Sequence, residues 1–181
     1  GLYMSSHPLD RFGFILRRAC QHDLQSLQDL NPLKDTEVAV AGVVTSVTPL
    51  ATKDGRPYAR FVLEDYNSQH EFTLFSKDYE RFSSLIQINN FLFIRGRVQV
   101  RPYRQTEELE YKILSIQHLA DIADGITNIR IELDINDVCS SFTNMILEQA
   151  AANSGKATLQ FVVVDHNEDV KVKLSSKKYR V

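Results

Sequence analysis

Between Arg81 and Thr106 the chain carries five arginines, Arg81, Arg95, Arg97, Arg101 and Arg104, and no aspartate or glutamate. Cations that meet phosphates, and aromatic rings on which bases stack, are the two parts of a sequence-tolerant single-strand site. Arg95, Arg97 and Arg101 alternate with Ile94, Gly96, Val98 and Val100, so they share one face of a strand. Lys53 and Arg56 flank a Gly-containing turn, Arg60 lies on the strand after it, and Arg104 sits in a later loop. Tyr58, Phe75 and Tyr103 are the aromatics within reach of these cations. The candidate nucleic-acid set is therefore Lys53, Arg56, Tyr58, Arg60, Phe75, Arg97, Arg101, Tyr103 and Arg104. The same alternation also suits a solvated barrel face with no ligand, and Phe75 also suits a core position. The residues alone leave both readings open.

Other chemistries find little support. There is no phosphate loop, no HExxH pair and no nucleophile elbow. Glu64-Asp65 reads as a strand end entering a turn, and Glu107-Glu108 as a loop. His7, His22, His70, His118 and His166 show no metal-ligand spacing, so neither a metal nor a cofactor is expected in this chain. Cys20 and Cys139 are too far apart for a zinc knuckle or a disulfide framework and read as reduced thiols of a cytoplasmic protein. The apolar runs fall well short of the ~20 residues that a membrane helix needs, and no signal pattern opens the chain. Net charge is −2 over 181 residues, so the basic signal is local and not global.

The elements that would position these residues lie between Val38 and Leu119. Val38 to Thr48 is a β-branched run with Gly42 near its middle, suited to the bend of a small barrel. Tyr58 to Asp65 and His70 to Ser76 alternate as two short strands. Lys77 to Ile86 has Tyr79, Phe82, Leu85 and Ile86 at helical spacing. Asn90 to Tyr103 and Leu109 to Leu119 complete the set. Three strands, a helix and two strands is the order of a five-stranded OB-fold barrel, whose second and third strands and adjoining loops form the nucleic-acid surface.

The flanks differ. Residues 1–37 hold two short helical pieces, Asp10 to Ala19 and Gln21 to Pro32, the second with Leu24, Leu27 and Leu30 at spacing three. They read as a tail along the barrel or the remnant of an upstream domain. Asp121 to Gly125 reads as a turn. Beyond it come a strand from Asn128 to Asn136 and a helix from Val138 to Ala152, capped by Asp137 and closed at Asn153-Ser-Gly155. Two strands joined at His166-Asn-Glu168 follow. The expected architecture is mainly β: a tail over 1–37, a five-stranded OB-fold barrel over 38–119, and a small α+β domain over 120–181. The first residue is not Met, and the last residues run as a strand, so a piece of a longer protein is expected.

Taken together, several segments resemble the alpha subunit of bacterial replicative DNA polymerase III. Gly1-Leu-Tyr-Met-Ser-Ser-His-Pro-Leu9 is similar to the segment that joins that family's fingers region to its OB domain. Val40-Ala-Gly-Val-Val44 with Thr52-Lys-Asp-Gly-Arg56, then Phe61-Val-Leu-Glu-Asp65 with Glu71-Phe-Thr-Leu-Phe75, resemble its first three strands. Ile94-Arg-Gly-Arg-Val98 resembles its fourth, and Lys178-Tyr-Arg-Val181 part of its C-terminal domain. The chain departs from the pattern at Ser6, where Gly is usual, and at Tyr66-Asn-Ser68, where the turn lacks a common Gly.

The resemblance implies a division of labour. Catalytic carboxylates and their Mg would lie in a palm domain upstream, so this stretch of a DNA-directed DNA polymerase would not itself transfer nucleotides. It would hold single-stranded template through the OB domain. Its C-terminal domain would contribute to docking the tau subunit of the clamp loader, within the polymerase III holoenzyme. Two other roles suit an OB-fold of this size: a protein-interaction module, and the anticodon-binding domain of an aminoacyl-tRNA synthetase.

Overall fold

One long strand, β1 (Glu37–Ala51), serves two partners in turn. Its first half, Glu37 to Val43, pairs antiparallel with β4 (Phe91–Val100), and its second half, Val43 to Ala51, with β2 (Pro57–Glu64). Gly42 sits where the partner changes. A Cβ there would lie 2.4 Å from the backbone oxygen of Glu64, so the glycine is required by close approach of β2. Just beyond, the register slips between Val44 and Ser46, a bulge that sharpens the strand's twist. β3 (Gln69–Phe75) pairs with β2 and β5 (Leu109–His118) with β4, giving the order β3-β2-β1-β4-β5. The computed structural model describes residues 7–101 and 107–181. The chain divides into two units, Gly1–Asp124 and Gly125–Val181.

The first unit is mainly β with OB-fold strand order, as its alternation predicts. Among the described residues no ladder joins β3 to β5, so the sheet curls without closing. The inward set is Val38, Val40 and Val44, then Ala59, Phe61 and Leu63, then Phe72, Leu74, Leu92, Ile94, Val98, Ile113 and Ile116. Tyr111 lies over Gly96, where a Cβ would meet its ring at 2.3 Å. Its hydroxyl donates to the Val38 carbonyl at 2.9 Å, and burial raises its pKa. A second bulge, on β5 opposite Arg95 and Gly96 of β4, leaves its extra residue Leu114 unpaired and 42% exposed.

The stretch before β1 is more than a tail. Its two single turns, Leu24–Gln28 and Asn31–Leu33, place Leu24, Leu27 and Leu33 inside the barrel core. Leu27 and Leu30 line the opening between β3 and β5. Buried Asp65 fixes this plug. One carboxylate oxygen accepts from the Leu24 amide at 2.8 Å, and the other from the Asn67 and Ser68 amides at 2.9 and 2.8 Å. Ahead of it, α1 (Gly13–Ala19) is entered through a single turn at Asp10–Phe12, and Leu9, Phe12 and Ile15 are buried.

Other boundaries also differ from expectation. The helix after β3, α2 (Ser76–Phe82), is shorter than Lys77 to Ile86 and ends in a turn, yet Ile86 still reaches the core. Residues 119–124 form a short helix, α3 (Leu119–Asp124), where a turn was expected; buried Leu119 fastens its start. Asp121, Asp124 and Gly125 read as turn residues and hid that anchor.

In the second unit β6 (Asn128–Asp134) runs parallel to β7 (Thr158–Asp165) through α4 (Ser140–Ala152), and β8 (Val170–Arg180) pairs antiparallel with β7. Asp134, accepting from the Asn136 amide at 2.8 Å, caps a single turn at Ile135–Asp137, so the helix starts later than expected. Gly155 is no left-handed cap. It is where the backbone of Val181 closes in, and a Cβ would meet that backbone at 2.4 Å.

His70 adds a pH-dependent term to the first unit. It packs 4.7 Å from the Phe72 ring, and desolvation lowers its pKa from the ordinary 6.5. The fold thus favours the neutral ring. Its contribution is complete above the ordinary value and is lost as pH falls through the lowered one. Denaturation midpoints from about pH 7 to 5 are expected to drop more steeply for wild type than for His70→Leu. Parallel pH profiles would refute this assignment.

Candidate nucleic-acid interface

The hairpin joining β1 to β2 is tight. The Thr52 amide donates to the Arg56 carbonyl at 2.9 Å, the Gly55 amide to the Thr52 carbonyl at 2.9 Å, and the Arg56 amide to Thr52 Oγ1 at 3.1 Å. Gly55 takes a φ of 75°, a turn conformation that suits glycine. Lys53 and Arg56 are exposed at its tip, with Asp54 between them, and neither cation makes an ion pair among the described residues.

This hairpin fixes the register behind it. Leu50 lies opposite Tyr58, and Tyr58 opposite Phe75. The Tyr58 and Phe75 rings stack at 5.1 Å with 23° between their planes. Phe75 is 55% exposed, so it belongs to the surface and not to the core. Arg60, two residues from Tyr58, shares its face of β2. The outcome is a flat apolar ridge across three strands, with two cations at the hairpin beyond it and a third beside it.

The structure brings Lys53, Arg56, Tyr58, Arg60 and Phe75 together. Arg101 joins them more loosely: it and Phe75 both line a cleft of about 720 Å³ between β3 and β5. Arg97 stands apart. It lies on β4, opposite Glu37 at the start of β1, with Lys112 of β5 on its other side. Tyr103 and Arg104 lie outside the described residues.

Several arginines already have partners. Arg60 pairs with Glu71 at 3.8 Å, Arg95 with Glu37 at 3.0 Å, and Arg101 with Glu108 at 3.3 Å and Glu110 at 3.7 Å. Such exposed pairs contribute about 0–1 kcal/mol each. They add little to stability, yet they cancel most of the strand-borne positive charge. Sequence reasoning missed Leu50 and Glu71. The turn at Thr52–Arg56 was the signal for Leu50, which it sets opposite Tyr58, and the turn at Asp65–Ser68 was the signal for Glu71, which it brings near Arg60.

Among the described residues no group of three or more His, Cys, Asp or Glu side chains could hold a metal ion. No helix there is long and apolar enough to cross a membrane.

Comparison with known proteins agrees with this geometry. A family model described as an OB-fold nucleic acid binding domain matches residues 38–119. The chain is 28% identical over 185 residues to the DNA polymerase III alpha subunit of Borreliella burgdorferi, covering 97% of this chain and 15% of that protein. It is 24% identical over 139 residues to the alpha subunit of Pseudomonas fluorescens, covering 76% of this chain and 11% of that protein. With the alpha subunit of Pseudomonas aeruginosa it shares 30% identity over 98 residues, 54% of this chain and 8% of that protein. The chain thus spans a small part of the length of these relatives. It resembles the OB region of the polymerase III alpha subunit, and residues 38–119 carry the OB-fold strand order that the matching family model describes.

Proposed function

We propose, taking that likeness to polymerase III alpha subunits as the premise, that this chain holds single-stranded template DNA as a non-catalytic part of a replicative polymerase. The observation that carries the reading is the stacked Tyr58–Phe75 pair. It lies on the outer face of β2 and β3, Phe75 exposed and Tyr58 half-buried, next to the hairpin cations Lys53 and Arg56. A base has an aromatic surface to stack on, and its phosphates have cations within one turn of chain. The hold needs neither a metal nor a cofactor. Nucleotide transfer belongs to a region of the polymerase that this chain does not contain. For the second unit, the family resemblance supports a contribution to docking the clamp-loader tau subunit within the holoenzyme. The expected location is the cytoplasm.

Fluorescence anisotropy of a labelled oligothymidylate tests the DNA reading. About three phosphate contacts engaged at once, at roughly −0.7 each, give a slope of log affinity against log salt near −2. Lys53→Ala/Arg56→Ala is expected to flatten it to about −0.6. Identical curves for both proteins, or binding indifferent to salt, would move the site off this face and favour a protein-interaction module.

A further inference from the structure

We propose that Glu71 and the pair Glu108 and Glu110 are built-in competitors of the DNA phosphates that set how tightly a strand is held on this face. The inference rests on the single-strand reading above and concerns the regulation of the same surface.

Arg60, beside the aromatic ridge, and Arg101, on the cleft that Phe75 lines, are both engaged by carboxylates. Arg60 Nη1 lies 3.8 Å from Glu71 Oε1, and Arg101 reaches Glu108 through Nη1 at 3.3 Å and Glu110 through Nε at 3.7 Å. Arg60 is two residues from Tyr58 on the same face of β2. Arg101, Glu110 and Glu71 line the same cleft as Phe75. A phosphate backbone crossing the ridge therefore meets each arginine with a carboxylate already in place.

Displacing the carboxylate does not remove it. Glu71 lies on β3 on the same face as Thr73 and Phe75, so after its ion pair opens it still stands beside the path of the strand. Glu110 also accepts from Gln99 Nε2 at 3.1 Å, which restrains it next to Arg101. Both sites attract a phosphate and oppose it within a few ångströms. The Lys53–Arg56 hairpin has no such ion pair among the described residues, so the first phosphates dock there. Strand contacts at Arg60 and Arg101 form against competition and release readily, which suits a surface over which a template must keep moving.

The test is oligothymidylate anisotropy with the full 181-residue chain, using wild type, Glu71→Gln, Glu110→Gln and a control, Glu168→Gln, on the β7–β8 turn. Glu71→Gln and Glu110→Gln are each expected to tighten binding about three- to fivefold and to steepen the salt slope by up to about 0.7. The control, on a turn of the second unit and in no ion pair among the described residues, is expected to change affinity less than about twofold. In a double-mutant cycle, Arg60→Ala weakens wild type about twofold and the Glu71→Gln variant about fivefold, because only there is the guanidinium free for phosphate. Wild-type binding with no tightening in either variant, or equal tightening in the control, overturns the proposal and leaves the single-strand reading standing. Failure of wild type to bind overturns the single-strand reading and this proposal with it.

Discussion

Phe61→Ala is expected to destabilise the first unit by about 3–5 kcal/mol, a large fraction of the ~5–15 kcal/mol that holds a domain of this kind together. Phe61 is 1% exposed and stacks on Phe72 at 5.3 Å, in the middle strand of the β1–β2–β3 half of the barrel. Close packing on all sides leaves little room for neighbours to collapse into the space of a lost ring. Urea denaturation of the variant is expected to show a midpoint shifted strongly downward with an unchanged slope. Leu114→Ala is the control, because Leu114 is the exposed extra residue of the β5 bulge; its change is expected within about 0.5 kcal/mol. Equal effects from the two substitutions would mean that the burial assignment of this strand is wrong.

Tyr58→Ala/Phe75→Ala is expected to weaken oligothymidylate binding about 5- to 150-fold, the range given by about 1–3 kcal/mol for each base that loses its stacking partner. Phe75 is 55% exposed, so the variant keeps its core and its thermal transition stays close to wild type. The salt slope is the discriminating readout. Removing rings takes away no phosphate contact, so affinity falls while the slope stays near −2. A loss of slope along with affinity would mean that the hairpin had moved. Unchanged affinity would remove the ridge from the binding surface and leave the cations alone to account for it.

The strand order and most of the inward face were readable from period-two alternation, because a half-buried strand writes its environment into every second residue. The Arg95–Arg97 face and the Phe61–Leu63 pair are examples. The site was readable only in part. Residue types singled out Tyr58, Phe75, Lys53 and Arg56 as candidates, and register was needed to show that Tyr58 and Phe75 are one stacked pair. Register was also needed to reveal that Arg60 and Arg101 are neutralised, since Glu71 and Glu110 meet them only after strands pair. Arg97 shared a pattern with Arg101, and strand pairing sets it opposite Glu37 and Lys112, apart from the aromatic pair. The leucines at Leu24, Leu27 and Leu30 announced a helical stripe, and nothing local could say that the stripe fills a gap between two strands distant in sequence.

That plug has a consequence for how the protein is made. Leu9, Phe12, Ile15, Leu24, Leu27 and Leu33 all precede the sheet they are buried against, and the Leu24 amide bonds to Asp65, 41 residues later. During synthesis the plug leaves the ribosome before β2 and β3 exist to receive it, at a pace of about 5–20 residues per second. For that interval its apolar side chains have no partner, and the barrel cannot complete itself strand by strand from the front. The first unit therefore cannot complete its interior until β2 and β3 have emerged to receive residues 24–33.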